Sequence, residues 1–164
     1  MSINHWIVKN LVCTLFLVVG GLNIYAQKDK YLIEAEAFQF KGKWSTDRSA
    51  DCMGSAMLRL NGGGSLDEQF DALTVVNIME EGDYNVWVRS ADYDKLPGTR
   101  LFRLSVDEKP MKESGKHGKV GFYWENAGCV QLAKKQVLLR LHDTKRNFGR
   151  CDAILLVKDH SINP

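Results

Sequence analysis

The sequence predicts an all-β fold, a two-sheet β-sandwich of the jelly-roll kind, on three observations. Apolar residues recur at a period of two, turn formers punctuate them at short intervals, and no stretch past Gln27 carries a convincing helical period. In chain order the first strand is expected over 31–38. A second follows over 55–60, closed by the turn Asn61-Gly62-Gly63-Gly64, and a third over 73–78. After Glu80-Glu81-Gly82-Asp83, Tyr84, Val86 and Val88 alternate with Asn85, Trp87 and Arg89. Large residues on both faces mark that strand as central and covered on both sides, with Trp87 packed in the core.

Beyond Lys95-Leu96-Pro97-Gly98, Phe102, Leu104 and Val106 alternate with Leu101, Arg103 and Ser105, up to the turn Asp107-Glu108-Lys109-Pro110. Strands over 129–132, 136–142 and 153–158 complete about eight, the last preceded by the Asn147-Phe148-Gly149 turn. Trp44 is either an exposed loop aromatic or a lid on the apolar face.

Residues 1–26 have a different character. Lys9 precedes the apolar run 11–19, Gly20 and Gly21 loosen the chain, and Ile24-Tyr25-Ala26 gives way abruptly to Gln27-Lys28-Asp29-Lys30. That order is a secretory signal peptide with cleavage expected after Ala26. The alternative, a membrane anchor, needs about 20 apolar residues, and this run falls short. Cys13 lies inside the apolar run rather than after it, so lipidation is not expected there. Export to the periplasm or the cell exterior follows, with residues 31–158 as one domain and 159–164 as a tail or the start of a linker.

The whole chain carries 22 basic and 20 acidic side chains, a net +2, and Lys9 is the only charged residue before Gln27. A near-neutral, interspersed pattern gives no electrostatic case for nucleic acid or an anionic membrane. Three cysteines follow the leader: Cys52, Cys129 and Cys151. An oxidising exterior allows one disulfide among them, with the pairing open, and no paired C-x-x-C points to zinc.

The segments Ile33-Glu34-Ala35-Glu36, Gly82-Asp83-Tyr84-Asn85-Val86-Trp87-Val88-Arg89, Leu104-Ser105-Val106-Asp107 and Asp152-Ala153-Ile154-Leu155-Leu156 stand in a telling order. The series resembles the galactose-binding-like β-sandwiches, in particular carbohydrate-binding modules of families six and thirty-five, over nearly all of residues 31–158. Three further segments, around Pro97-Gly98-Thr99-Arg100, Gly115-Lys116-His117-Gly118 and Asn147-Phe148-Gly149-Arg150-Cys151-Asp152, carry a closer likeness. They are similar to a sandwich module attached to exported FAD-dependent oxidoreductases, sometimes labelled xanthan lyases. No G-x-G-x-x-G opens a helix after a strand, so no flavin is expected on this chain.

The resemblance implies a structural calcium ion held by Glu34, Glu36 and Asp152. Glu34 and Glu36, two apart on a strand, share a face, and calcium takes six to eight oxygens. The alternative is that these acids are solvated or paired with Arg or Lys. It also implies a poly- or oligosaccharide ligand at one end of the sandwich, with Tyr93, Trp124 and Asn147 at the matching places. Phe122-Tyr123-Trp124-Glu125-Asn126 is an aromatic and polar cluster, read as a loop between glycines; its aromatics alternatively cap the core. Charges beside Tyr93, in Arg89-Ser90-Ala91-Asp92-Tyr93-Asp94-Lys95, either suit an acidic or sulfated sugar or mark a missing site.

Catalysis is not expected. Glu34 and Glu36 do not by themselves form a cleft for glycoside cleavage. No Ser–His–Asp or Cys–His arrangement follows from spacing, because such partners meet only in the fold. The reading is a non-catalytic, exported carbohydrate-binding module. The alternative is a docking or structural domain, without a ligand of its own, for the catalytic part of a larger enzyme.

Overall fold

The computed structural model describes residues 24–27, 29–61, 67–144 and 148–164. Residues 1–23 of the expected leader, the Gly62-Gly63-Gly64 turn, Arg146 and Asn147 lie outside the described residues.

Among the described residues eleven strands form two sheets. In chain order they are β1 (Ile24–Gln27), β2 (Lys30–Glu34), β3 (Ser45–Arg48), β4 (Ala56–Arg59), β5 (Ala72–Asn77) and β6 (Gly82–Ala91). Then come β7 (Phe102–Val106), β8 (Lys109–Ser114), β9 (Phe122–Leu132), β10 (Gln136–His142) and β11 (Arg150–Val157). The first sheet is organised around β11, which pairs with β6 along one side, and β6 pairs in turn with β9. Along its other side β11 meets β4 at Arg150 and Cys151, then β2 from Ala153 to Val157. The second sheet runs β5-β10-β7-β8. Every ladder is antiparallel.

The two inner faces supply one contiguous core. Tyr31, Ile33, Val86, Val88, Ile154 and Leu156 from the first sheet meet Phe102, Leu104, Val106, Leu139 and Leu141 from the second. Alternation explains the arrangement: inward residues 84, 86 and 88 are fully buried while 85, 87 and 89 are not. Trp44 is the lid of the two readings; it is 4 % exposed and meets Phe102 edge-on, centroids 5.6 Å apart.

Four expectations are corrected. Trp87 belongs to the outer face of β6, half-buried and outside the core cluster, its indole N–H buried without a hydrogen-bond partner. The strand buried on both faces is β11, where every residue from Cys151 to Val157 is inaccessible. Phe122 to Asn126 open strand β9 rather than forming a loop. The stretch expected as strand 31–38 ends at Glu34 and turns through a 3-10 turn, Ala35–Ala37.

The Asp107-Glu108 turn is tighter than its four-residue expectation. Both residues have positive φ, 51° and 66°, and Val106 pairs directly with Lys109 across a two-residue hairpin. Pro110 then sits in β8, an edge strand, where a missing N–H is tolerated. All three cysteines are free thiols, Cys52 and Cys151 buried and Cys129 exposed. Among the described residues no helix is long and apolar enough to cross a membrane.

Candidate functional site

Two places gather polar groups in ways a sandwich does not need for packing. The first lies where β2 ends against β11. Glu34 is 8 % exposed and Asp152 is fully buried. Glu36, on the 3-10 turn rather than on a strand, still comes alongside them. The shared-face explanation of this pair is therefore replaced by a turn that folds Glu36 back beside Glu34.

Gly54, at φ 59°, presses its backbone against both acids. A Cβ there would sit 2.6 Å from Glu36 Oε1 and 3.0 Å from Glu34 Oε1. The Arg89 guanidinium and the Met53 N–H both donate to Asp152 Oδ2, the latter at 3.2 Å. Asp152 Oδ1 and Glu36 Oε2 are buried without any hydrogen-bond partner.

The electrostatics follow from that shortage of cations. Burial first, then the charges of Glu34 and Asp152, push the Glu36 carboxyl from the usual 4.5 up to about 7. Burial also raises Asp152, against the pull of Arg89. The neighbouring Cys52 thiol is pushed up to about 12 by burial and by Asp152. Among the described residues no three such side chains form a ready-made metal shell, and Arg89 holds one oxygen of Asp152. Yet two orphaned, buried carboxylate oxygens beside a close-fitting glycine are the hard donors that calcium takes.

The second place is one end of the sandwich, where the β6–β7, β8–β9 and β10–β11 connections meet. Two carboxylates, Asp92 buried and Glu125 half-buried, tie the first two together. Asp92, 2 % exposed, accepts from the N–H groups of Tyr93 (2.7 Å), Gly98 (3.1 Å) and Gly118 (2.8 Å). Glu125 accepts from the Ser90 hydroxyl and from the Gly115 N–H at 2.7 Å. Gly115 itself has φ 85°, and a Cβ on it would lie 2.1 Å from the Arg100 carbonyl oxygen. The third connection joins through Phe148 N–H to Thr99 O at 3.3 Å.

On this braced end the large apolar side chains are left in water: Tyr93, Leu96, Val120, Tyr123 and Phe148 are all exposed. His117 packs at a tilt of 57° against Tyr123 with ring centroids 5.0 Å apart, and Lys119 lies 4.8 Å over the same ring. Arg100 lies 5.8 Å over Tyr93 and donates to Asp92 O. Nearby, Arg150 is held below the usual guanidinium range by burial and then by the charges of Arg100 and Arg59.

The expected residues therefore separate. Tyr93 is at this end, 40 % exposed. Trp124 pairs with Arg89 across β9 and β6, and shares its face with Phe122, whose ring is 5.3 Å from the Arg89 guanidinium. Its half-buried indole thus lies beside Arg89, with β6 between it and the strand that carries Asp152, and the exposed ring at the loop end is Tyr123, one residue earlier. Asn147 lies outside the described residues, next in chain to Phe148. Sequence reasoning missed Asp92 and Glu125 as braces and Gly54 as the floor under the acids. A carboxylate that binds backbone N–H groups leaves no spacing signal; an isolated glycine between polar residues gave the only hint.

No protein-family model matches the sequence, and no curated protein matches it. Solved structures do match. The GH26-CBM35 β-(1,4)-mannanase of Podospora anserina superposes with a TM-score of 0.63 at 17% identity, over 84% of this chain and 30% of that one. A family 35 carbohydrate binding module from Clostridium thermocellum gives 0.60 at 17% identity, over 77% of this chain and 97% of the module. A Paenibacillus xanthan lyase gives 0.56 at 17% identity, over 76% of this chain and 13% of the lyase. The chain thus spans less than a third of either enzyme and nearly all of the separate module. What it shares with all three is the galactose-binding-like β-sandwich fold.

Proposed function

We propose that this chain is a non-catalytic carbohydrate-binding module of an exported protein, binding glycan at the braced loop end. The observation that carries it is the set of exposed aromatic and apolar side chains on connections held rigid by Asp92 and Glu125. A sugar presents a C–H face to an aromatic ring and hydroxyls to fixed donors and acceptors. Tyr93 and Tyr123 supply the faces; Arg100 and Lys119 supply polar partners beside them, and His117, both of whose ring nitrogens are bonded within the loop, holds Tyr123 in place. Asn147 is proposed as a further hydroxyl partner, and Trp124 as the alternative stacking ring. The basic groups around the rings favour an acidic glycan, uronic or sulfated.

Tyr123→Ala and Tyr93→Ala are each expected to weaken glycan binding about tenfold or more, in keeping with ~1–3 kcal/mol for a stacked aromatic at a binding centre. Isothermal titration of wild type and variants measures it. Binding that survives both substitutions and is lost in Trp124→Ala would move the site to the Arg89 face.

Glu34, Glu36 and Asp152 are proposed to hold a structural calcium ion, which supplies the counter-charge that the buried oxygens lack. Arg89 then yields its hold on Asp152 or shares it.

A second reading has its own support: the matching sandwiches of the mannanase and the xanthan lyase are parts of longer enzymes. In that reading the domain docks a catalytic partner and has no ligand of its own. It requires that glycan titrations stay flat and that the braced end bury itself against that partner.

A further inference from the structure

The outer face of the second sheet carries an arrangement that neither the glycan reading nor the acidic cluster uses. Ser105 on β7, His142 on β10 and Asp71, immediately before β5, lie in line across three neighbouring strands. His142 Nε2 is 2.7 Å from Ser105 Oγ, and its Nδ1 is 2.7 Å from Asp71 Oδ2. The register explains how they meet. Arg140 pairs with Ser105 on one side and with Leu73 on the other. His142, two residues on and on the same outward face, stands opposite Arg103, so it meets Ser105 on the diagonal and, on its other side, the residue that precedes β5.

The polarity is fixed by chemistry. A carboxylate only accepts, so the ring proton belongs on Nδ1, facing Asp71; Nε2 is left as the acceptor for the Ser105 hydroxyl. Asp71 is 4 % exposed and Ser105 is 5 % exposed. The Asp71–His142 approach is short but not aligned as a hydrogen bond: Asp71 Oδ2 is buried without a hydrogen-bond partner, and the Arg140 guanidinium lies 3.6 Å from it. The serine opens into a groove of about 640 Å³ that Arg103, Arg140, Glu113 and His142 also line.

We propose that Ser105, His142 and Asp71 form a nucleophilic serine site that cleaves short-chain carboxylic esters of polar alcohols. Ser105 Oγ bonds to the ester carbonyl carbon while its proton passes to His142 Nε2. The carbon–oxygen bond to the alcohol then breaks, and His142 returns the proton to the departing oxygen, leaving acyl-Ser105. Water adds to that acyl group, gives its proton to His142, and releases the carboxylic acid as Ser105 is reprotonated. Ser105 is mid-strand, where backbone N–H groups serve the ladder, so the charge on the carbonyl oxygen falls to Arg103 and Arg140, which must turn from Glu113 and from Glu68 and Asp71 to meet it. The groove's charged lining selects a small acyl group on a polar alcohol over a fatty ester. Ser105 and His142 are the catalytic pair; Asp71 is a positioning residue.

The test is covalent labelling of the full protein with a fluorophosphonate probe, located by peptide mass spectrometry, alongside hydrolysis of p-nitrophenyl acetate. The expected result is one probe per chain, on Ser105, with acetate release above the buffer rate. Labelling is expected to slow by about 10²–10⁴ in His142→Ala. Asp71→Asn should lower the rate and alter its pH profile, because an amide no longer fixes the tautomer. Wild-type protein that takes no probe at Ser105 overturns the proposal without recourse to any variant. Labelling of Ser105 at an unchanged rate in folded His142→Ala overturns it equally. Neither outcome depends on glycan binding.

Discussion

Chelating calcium is expected to lower the melting temperature at pH 7.5 by roughly 5–15 °C if the proposed ion is bound, and Glu36→Ala is expected to remove the difference between loaded and chelated protein. The size follows from linkage: a ligand at about a hundred times its dissociation constant adds ~2.7 kcal/mol to a native state that alone binds it. The cause is local. Glu36 Oε2 and Asp152 Oδ1 are buried without partners, and Glu34 adds a third carboxylate to the same spot.

The pH dependence has a definite sign. The Glu36 carboxyl is raised by folding from 4.5 to about 7, so the fold favours its neutral form. In chelated protein its contribution is full below about pH 4.5 and is lost as the pH climbs through 7. A bound cation inverts this by favouring the anion, so calcium should protect most at pH 7 and above and little near pH 5. Gly54→Ala is expected to mimic chelation, because its Cβ would displace both glutamates. Equal melting curves with and without calcium at both pH values would reduce the cluster to acids neutralised by protons and by Arg89.

Asp92→Ala is expected to destabilise the domain by about 3 kcal/mol and to abolish glycan binding together with it. Three backbone N–H groups, from Tyr93, Gly98 and Gly118, lose their acceptor. A donor left without an acceptor out of water costs ~1–3 kcal/mol, and less at these part-buried positions, where opening of the loops recovers some of it. Opening is the functional point, since the same carboxylate holds the Tyr93 loop against the 115–121 connection that leads into Tyr123. Chemical denaturation gives the stability; binding measured well below the melting temperature gives the rest. A variant that loses stability but keeps full affinity would show that the braces serve the fold alone.

The strands with inward apolar alternation, 84–88 and 137–141, were legible because one face is buried in a single core and the other is not. β3 escaped because Ser45–Arg48 buries no apolar side chain, its pattern being half-buried and exposed by turns. β8 escaped because an edge strand can carry Pro110 and a row of charges. The start of β9 was misread since three aromatics in succession show no period at all. Glu34, Glu36 and Asp152 were legible through resemblance. Met53, Gly54 and Arg89, which complete their surroundings, arrive from distant parts of the chain. Ser105, His142 and Asp71 share the same difficulty: each is ordinary on its own strand, and only the order β5-β10-β7 lines them up.

The central claim is glycan recognition at the braced end, and the most direct test is a binding titration of the protein against plant, host and microbial glycans, with calcium present and then chelated. The account predicts saturable binding to one acidic glycan class, weakened by salt and lost in Tyr123→Ala. Flat titrations across the whole panel, in both conditions, would contradict it.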